Sequence, residues 1–298
     1  MSTLSVASSR EQRVTVRTLA ARKRRGERIA MLTAYDFAFA RIFDQAGIDV
    51  LLVGDSLGMV VLGYDSTIPV TMEDMLHHTK AVVRGSERAI IVGDMPFMSY
   101  QTGVADAVRN AGRFLQEAGM DAVKLEGGSE RAEAIQAIVA AGIPVMGHLG
   151  LTPQSVNQLG GFRPQGQDLE TARRLVNDAE ILQQAGCFSL VLESIPARLA
   201  DLISRRLEIP TIGIGAGVSC DGQVLVTHDV LGLFDRFTPR FVKKYADLHF
   251  EMARAFAAFK SDVESRTFPA PEHSVEMPDE AWNALVESGL NGHKPGDS

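Results

Sequence analysis

One repeated pattern constrains this chain more than any other feature. A short apolar run is followed by a segment with helical spacing, and then by the next apolar run. The runs are Ile29–Thr33, Val50–Val53, Ala89–Gly93, Ala122–Leu125, Ile143–Met146, Ser189–Leu192, Thr211–Ile214 and Val224–Val226. Most are continuous rather than alternating, as expected of strands covered on both faces of a parallel sheet. Helices are predicted over 37–46, 72–84, 104–118, 130–141, 169–185, 197–206 and 240–259. Gly47, Gly119, Gly142 and Gly186 stand just past four of them, where a left-handed residue ends a helix.

Eight such units predict an α/β chain folded as a (β/α)8 TIM barrel, for which ~250 residues is a usual span. The stretch 215–223 is too short and glycine-rich for a full helix, so an open doubly wound sheet is the alternative. An extra helix over 16–23 would close the bottom of the barrel. Residues 1–13 read as a flexible N-terminus, 14–265 as the barrel and 266–298 as a partly disordered C-terminal extension. The extension carries Pro269, Pro271, Pro278 and Pro295.

The net charge of −7 and the absence of a basic stripe argue against nucleic acid and anionic membrane as partners. Cys187 and Cys220 form no CxxC pair, and few cysteines fit a reducing cytoplasm. No apolar run is long enough to span a membrane, and residues 1–13 lack the apolar stretch of a signal peptide.

In a barrel the chemistry sits at the C-terminal ends of the strands. Three consecutive runs end there in Asp55, Asp94 and Glu126. Crowded carboxylates repel and raise one another's pKa values, and a hard divalent cation removes that cost. An all-oxygen set without cysteine favours magnesium over structural zinc. Any one of these acids alone would read as a helix cap; together on neighbouring strands they read as a metal site. Lys124 and Glu126 are two apart and so point the same way, into the barrel. Lys124 then reads as a contact for a substrate carboxylate, or else as half of a structural ion pair. Glu193 ends the sixth run, across the barrel from the metal acids, and suits a general base or a helix cap before Pro196. His148 is a further candidate, either substrate-binding or a core histidine. The glycines at 213, 215 and 217 make neither a GxGxxG fingerprint nor a P-loop.

The segments LLVGDSLGMVVLGYDSTIPVTMEDM (51–75), VGDMPFMSY (92–100), AVKLEGG (122–128), IPVMGHLGLTPQSVNQLGGF (143–162), LVLESIP (190–196) and IPTIGIGAGVSCDGQVLVTHDVLG (209–232) resemble the 3-methyl-2-oxobutanoate hydroxymethyltransferase family. The likeness runs from about Val14 to the FPAPEH stretch at 268–273. It implies a barrel of the phosphoenolpyruvate/pyruvate type, working as a homo-oligomer, typically a decamer. It implies one Mg2+ per subunit on Asp55, Asp94 and Glu126. Keto-acid contacts would come from Asp55, Ser56, Asp94 and Lys124, with Glu193 as proton acceptor. The implied reaction passes a hydroxymethyl group from 5,10-methylenetetrahydrofolate to 3-methyl-2-oxobutanoate through a metal-stabilised enolate. Its product is ketopantoate, for pantothenate synthesis.

Two rivals stand beside that expectation. A metal-dependent aldolase or lyase acting on another 2-oxo acid would share the metal chemistry but need no folate. A non-catalytic barrel could bind a chelated keto acid as a sensor, yet it has no need of a proton acceptor such as Glu193.

Overall fold

In the computed structural model, residues 13–289 are described. Most of the expected flexible N-terminus and the last residues of the extension, 290–298, therefore lie outside the described residues. The chain divides into two compact units, one ending at Ala246 and the other beginning at Asp247.

The first unit is a closed barrel of eight parallel strands in sequence order. They are β1 (Ile29–Thr33), β2 (Val50–Val53), β3 (Ile90–Asp94), β4 (Ala122–Glu126), β5 (Val145–Gly150), β6 (Ser189–Glu193), β7 (Thr211–Ile214) and β8 (Gly222–Leu225). β8 pairs with β1, Val224 opposite Met31, which excludes the open sheet. The helices Phe37–Gln45, Met72–Gly85, Val104–Ala118, Ala132–Ala140, Leu169–Gln184 and Ala197–Arg206 follow the first six strands. None separates β7 from β8, as the glycine-rich stretch there had suggested.

The strands sort their side chains with a period of two. Ile90 and Val92, Val50 and Leu52, Met146, Val191 and Ile212 join one interior cluster. Their neighbours Ile91, Leu51, Val53, Leu190 and Leu192 pack outward with Phe114, Ile138 and Leu182 of the helices. Val14 and Leu19 enter the interior cluster, so the N-terminal helix Val16–Arg25 closes the barrel's base. The same parity carries Asp94, Lys124, Glu126, His148 and Glu193 inward, above the apolar layer.

Two stretches differ from the sequence reading. The helix expected over 240–259 begins only at Leu248 and runs to Glu264. Residues before it are held otherwise: Val242 N–H turns back to Pro239 O at 3.0 Å, and Tyr245 N–H bonds Val230 O at 2.8 Å. Tertiary bonds override helical spacing here. The extension also forms a helix, Asp279–Glu287, after Pro278, with Asp279 and Glu280 in its first turn. Both helices of the second unit carry no buried residue. Among the described residues no helix is long and apolar enough to cross a membrane.

Candidate active site

Three loops and three strand ends build the site. β2 runs into Gly54 and Asp55, β3 ends on Asp94 and β4 on Glu126. Asp55, Asp94 and Glu126 are 3%, 2% and 4% exposed, and each offers an oxygen within 4.8 Å of the others. The expected convergence at one rim is thus a geometric fact. Burial and the mutual repulsion of the three carboxylates raise Asp55 well above the usual range. Burial also raises Asp94, against the opposing pull of Lys124. On Glu126, burial is outweighed by His148, Lys124 and the Gln154 amide, and its pKa is lowered. An all-oxygen, buried set that repels itself in this way fits a hard divalent cation.

Lys124 is opposite Asp94 in the β3–β4 register. Its Nζ donates to both Asp94 oxygens, at 2.7 and 2.8 Å, and lies 3.7 Å from Glu126. Despite burial, these acids hold its pKa above the ordinary value. Lys124 thus makes the ion pair that the sequence left as its second reading, with the lysine also lining the cavity.

Glu193 stands on β6, which is opposite β2 and Asp55 in the closed ring of eight strands but only two strands from β4. His148, register partner of Glu126, bridges Glu126 and Glu193. Its Nδ1 lies 3.3 Å from Glu126 and its Nε2 3.2 Å from Glu193. These are ion-pair distances without well-aligned hydrogen bonds. Burial and Lys124 would lower the imidazole, but the flanking acids raise it to about 9. Three consecutive strands therefore present acid, base and acid in a row. Next to Glu193, Ser194 adopts a left-handed φ of 49°, a strained conformation of the kind that gathers at functional sites. Gly150, opposite Glu193 in the sheet, has a φ of 99°, and an added Cβ would stand 2.1 Å from the Glu193 carbonyl. Only glycine lets the two strands close there.

Ser56 is tied down from outside the metal acids: its hydroxyl shares a 2.9 Å hydrogen bond with Tyr35 Oη.

Two residues went unassigned by sequence reasoning. Gln154, 4% exposed, sits in the middle of the turn Pro153–Ser155 after β5. Its Nε2 donates to Asp55 Oδ2 and to Met95 O, both at 2.9 Å, and its backbone N–H donates to Glu126 Oε2 at 3.0 Å. Its Oε1 accepts from Tyr100 Oη at 2.7 Å. Tyr100 in turn receives the Glu126 backbone N–H at 3.2 Å. Both lie in segments of the family resemblance, but nothing in spacing or periodicity marks a loop glutamine that folds back over carboxylates from other strands.

The carboxylates, Lys124, His148 and Glu193 all line one cavity of about 420 Å³. That is ligand-sized. An acid cluster beside a lysine and a second carboxylate at its edge can hold a cation, bind an anionic chelating substrate and accept a proton from it.

Comparison with known proteins bears on what that substrate is. The model of the family described as ketopantoate hydroxymethyltransferase matches residues 13–271. A Carboxydothermus hydrogenoformans protein named 3-methyl-2-oxobutanoate hydroxymethyltransferase is 60% identical over 265 residues, 89% of this chain and 96% of its own. A Syntrophomonas wolfei protein of the same name is 58% identical over 273 residues, covering 92% and 99%. Among solved structures, 2,3-dimethylmalate lyase, a PEP mutase/isocitrate lyase superfamily member, shares the fold with a TM-score of 0.53 at 15% identity. That match covers 94% of this chain and 96% of the lyase.

Proposed function

The chain belongs to the ketopantoate hydroxymethyltransferase family, and we infer that it transfers a hydroxymethyl group from 5,10-methylenetetrahydrofolate to 3-methyl-2-oxobutanoate, giving ketopantoate. The observation that carries the reading is the buried meeting of Asp55, Asp94 and Glu126, with Glu193 two strands further on. The oxygen-only donor set favours Mg2+, one per chain, on those three acids. Bound there, the cation supplies electrophilic stabilisation of the negative charge that develops on the substrate's ketone oxygen.

The side chains supply the remainder. Lys124 gives a positive charge to the substrate's carboxylate and keeps Asp94 in place through its two hydrogen bonds. Ser56, oriented by Tyr35, offers a hydroxyl beside Asp55. Glu193 accepts the proton from the branched carbon, while His148 holds its Oε2 at 3.2 Å. The carbon freed of its proton forms a new bond to the one-carbon unit. That unit's two bonds to the folate nitrogens break, water supplies the hydroxyl, and the proton taken up by Glu193 and the second proton of the water end on those two nitrogens. The apolar walls of the cavity limit competing reaction with solvent.

The same reading takes the protein as a cytoplasmic homo-oligomer, typically a decamer. Cys187 and Cys220 are both free and buried, which suits a reducing compartment. The helix Leu248–Glu264 leaves Met252, Phe256, Phe259 and Val263 exposed at three- and four-residue spacing, an apolar stripe of the kind that subunits cover.

The test is turnover of 3-methyl-2-oxobutanoate with methylenetetrahydrofolate, with and without Mg2+. Ketopantoate formed only with both supports the reading. Cleavage or condensation of a 2-oxo acid without folate would favour a lyase, and tight binding without product would favour a sensor.

A further inference from the structure

Beside the polar groups, the cavity is also lined by Met59, Val60, Phe162, Phe234, Phe237 and Phe241. A five-carbon keto acid at the carboxylates gives these apolar side chains no evident role. Two charged residues also line the cavity, Asp229 and Arg240.

Asp229 is the unusual one. It follows β8 in the short helix Thr227–Val230, whose position is fixed by Thr227: its N–H donates to Thr33 Oγ1 at 3.0 Å and its hydroxyl to Thr33 O. Asp229 is only 8% exposed. Yet no described residue donates a hydrogen bond to its carboxylate or forms an ion pair with it. Burial raises its pKa to about 6, opposed only by the charge of Lys244. A carboxylate that lines a cavity with no protein donor to it is open to a ligand that brings donors of its own. Asp229 also belongs to the same electrostatic neighbourhood as the metal acids. Both Asp229 and Asp55 raise the pKa of Tyr35, whose hydroxyl holds Ser56.

The complement of an aromatic slot with one unpartnered carboxylate is a flat heterocycle with two adjacent N–H donors on one edge. We propose that Asp229 recognises the pteridine ring of the one-carbon donor, accepting hydrogen bonds from its ring N–H and its 2-amino group while the apolar walls cover the ring faces. Two parallel bonds to one carboxylate give the geometry its specificity. Arg240, exposed at the cavity's edge, faces the anionic tail of the same donor. The proposal rests on the folate reading above and names the residues that would serve it.

The experiment measures tetrahydrofolate binding to the Mg2+-loaded full-length protein by calorimetry, in wild type and Asp229→Asn. Its second probe is 2-desamino-tetrahydrofolate, which lacks one of the two donors. The proposal expects the wild type to bind the desamino compound about tenfold or more weakly than tetrahydrofolate, and Asp229→Asn to bind both weakly with little distinction. It expects Mg2+-dependent affinity for 3-methyl-2-oxobutanoate to change by less than about twofold in the variant. Equal affinity of wild type and variant for tetrahydrofolate overturns the proposal, as does a wild type indifferent to the 2-amino group. Parallel loss of keto-acid affinity also overturns it, by placing Asp229 in the other half of the site. A wild type that makes ketopantoate from methylenetetrahydrofolate while failing these tests refutes the Asp229 assignment alone. A wild type that neither binds tetrahydrofolate nor uses the methylene donor refutes the folate reading itself.

Discussion

Gln154 Nε2 donates to Asp55 Oδ2 at 2.9 Å, although the two residues are 99 positions apart. The same glutamine spans to Glu126 through its backbone N–H and is held by Tyr100. Every polar atom of its amide is engaged, so the amide cannot turn without breaking bonds to the acids on either side. Gln154 thus fixes the spacing of two of the three carboxylates before any cation arrives.

Gln154→Ala should therefore weaken cation binding by about 10–100-fold, the usual effect of removing a group that orients metal ligands. Titration with Mn2+ as a spectroscopic substitute for Mg2+ measures this directly. Tyr100→Phe should show a smaller loss in the same direction, because it removes only the bond that holds Gln154 Oε1. Unchanged affinity in both variants would mean the network is incidental to the metal.

Replacing Glu193 by Gln keeps the shape of the side chain but removes the proton acceptor. Exchange of deuterium into the branched carbon of 3-methyl-2-oxobutanoate should fall by about 10²–10⁴-fold, the usual contribution of a positioned base. Affinity for the keto acid in the presence of Mg2+ should hold. Full exchange in the variant would remove Glu193 from that role.

Lys124→Met leaves the Asp94 carboxylate buried and without its cation. Breaking a buried pair from one side costs about 3–5 kcal/mol. The metal-free protein should therefore melt at a lower temperature, and added Mg2+ should recover part of the difference. Calorimetric melting of both proteins with and without Mg2+ gives the comparison, and an unchanged metal-free melting temperature would count against the pairing.

Asp44 supports the scaffold rather than the chemistry. Its carboxylate accepts from Ser86 Oγ and from the N–H groups of Glu87, Arg88 and Ala89, pinning the helix Phe37–Gln45 to the entry of β3. Burial would raise its pKa, but these donors outweigh it and lower the value. A lowered folded-state pKa means the stabilisation is complete above the unfolded value of about 3.9 and is lost as pH falls through the folded value. Asp44→Asn should cost about 1–3 kcal/mol at neutral pH, towards the lower end because the group is partly solvated. The deficit should shrink in acid, and chemical denaturation at neutral pH and below pH 4 measures it.

The barrel was legible because its strands are continuous apolar runs that nothing but a doubly covered sheet accommodates, and β2 and β7 match the expected residues without adjustment. The metal acids were legible for a related reason: each ends an apolar run, and parity along the strand turns Lys124 and Glu126 inward together. What escaped depends on loops and on contacts between them. Gln154 and Tyr100 act from turns after β5 and β3, whose return over the rim is set by tertiary packing. Glu193 does lie across the ring from Asp55, but its link through His148 to Glu126, over two strand intervals, is one that neither local pattern encodes. The helical spacing of 240–247 was real but gave way to the bond from Tyr245 to Val230. The helix at Asp279–Glu287, by contrast, had its signal in view, with proline before it and acids in its first turn.

The central claim is that Asp55, Asp94 and Glu126 share one divalent cation at the place where the keto acid binds. Electron paramagnetic resonance of bound Mn2+, titrated with 3-methyl-2-oxobutanoate, addresses it most directly. The wild type should bind one Mn2+ per chain with a spectrum that the keto acid alters, and the double variant Asp55→Asn, Asp94→Asn should bind it at least about 100-fold more weakly. Undiminished Mn2+ binding in the double variant, or a wild-type spectrum indifferent to the keto acid, would contradict the claim.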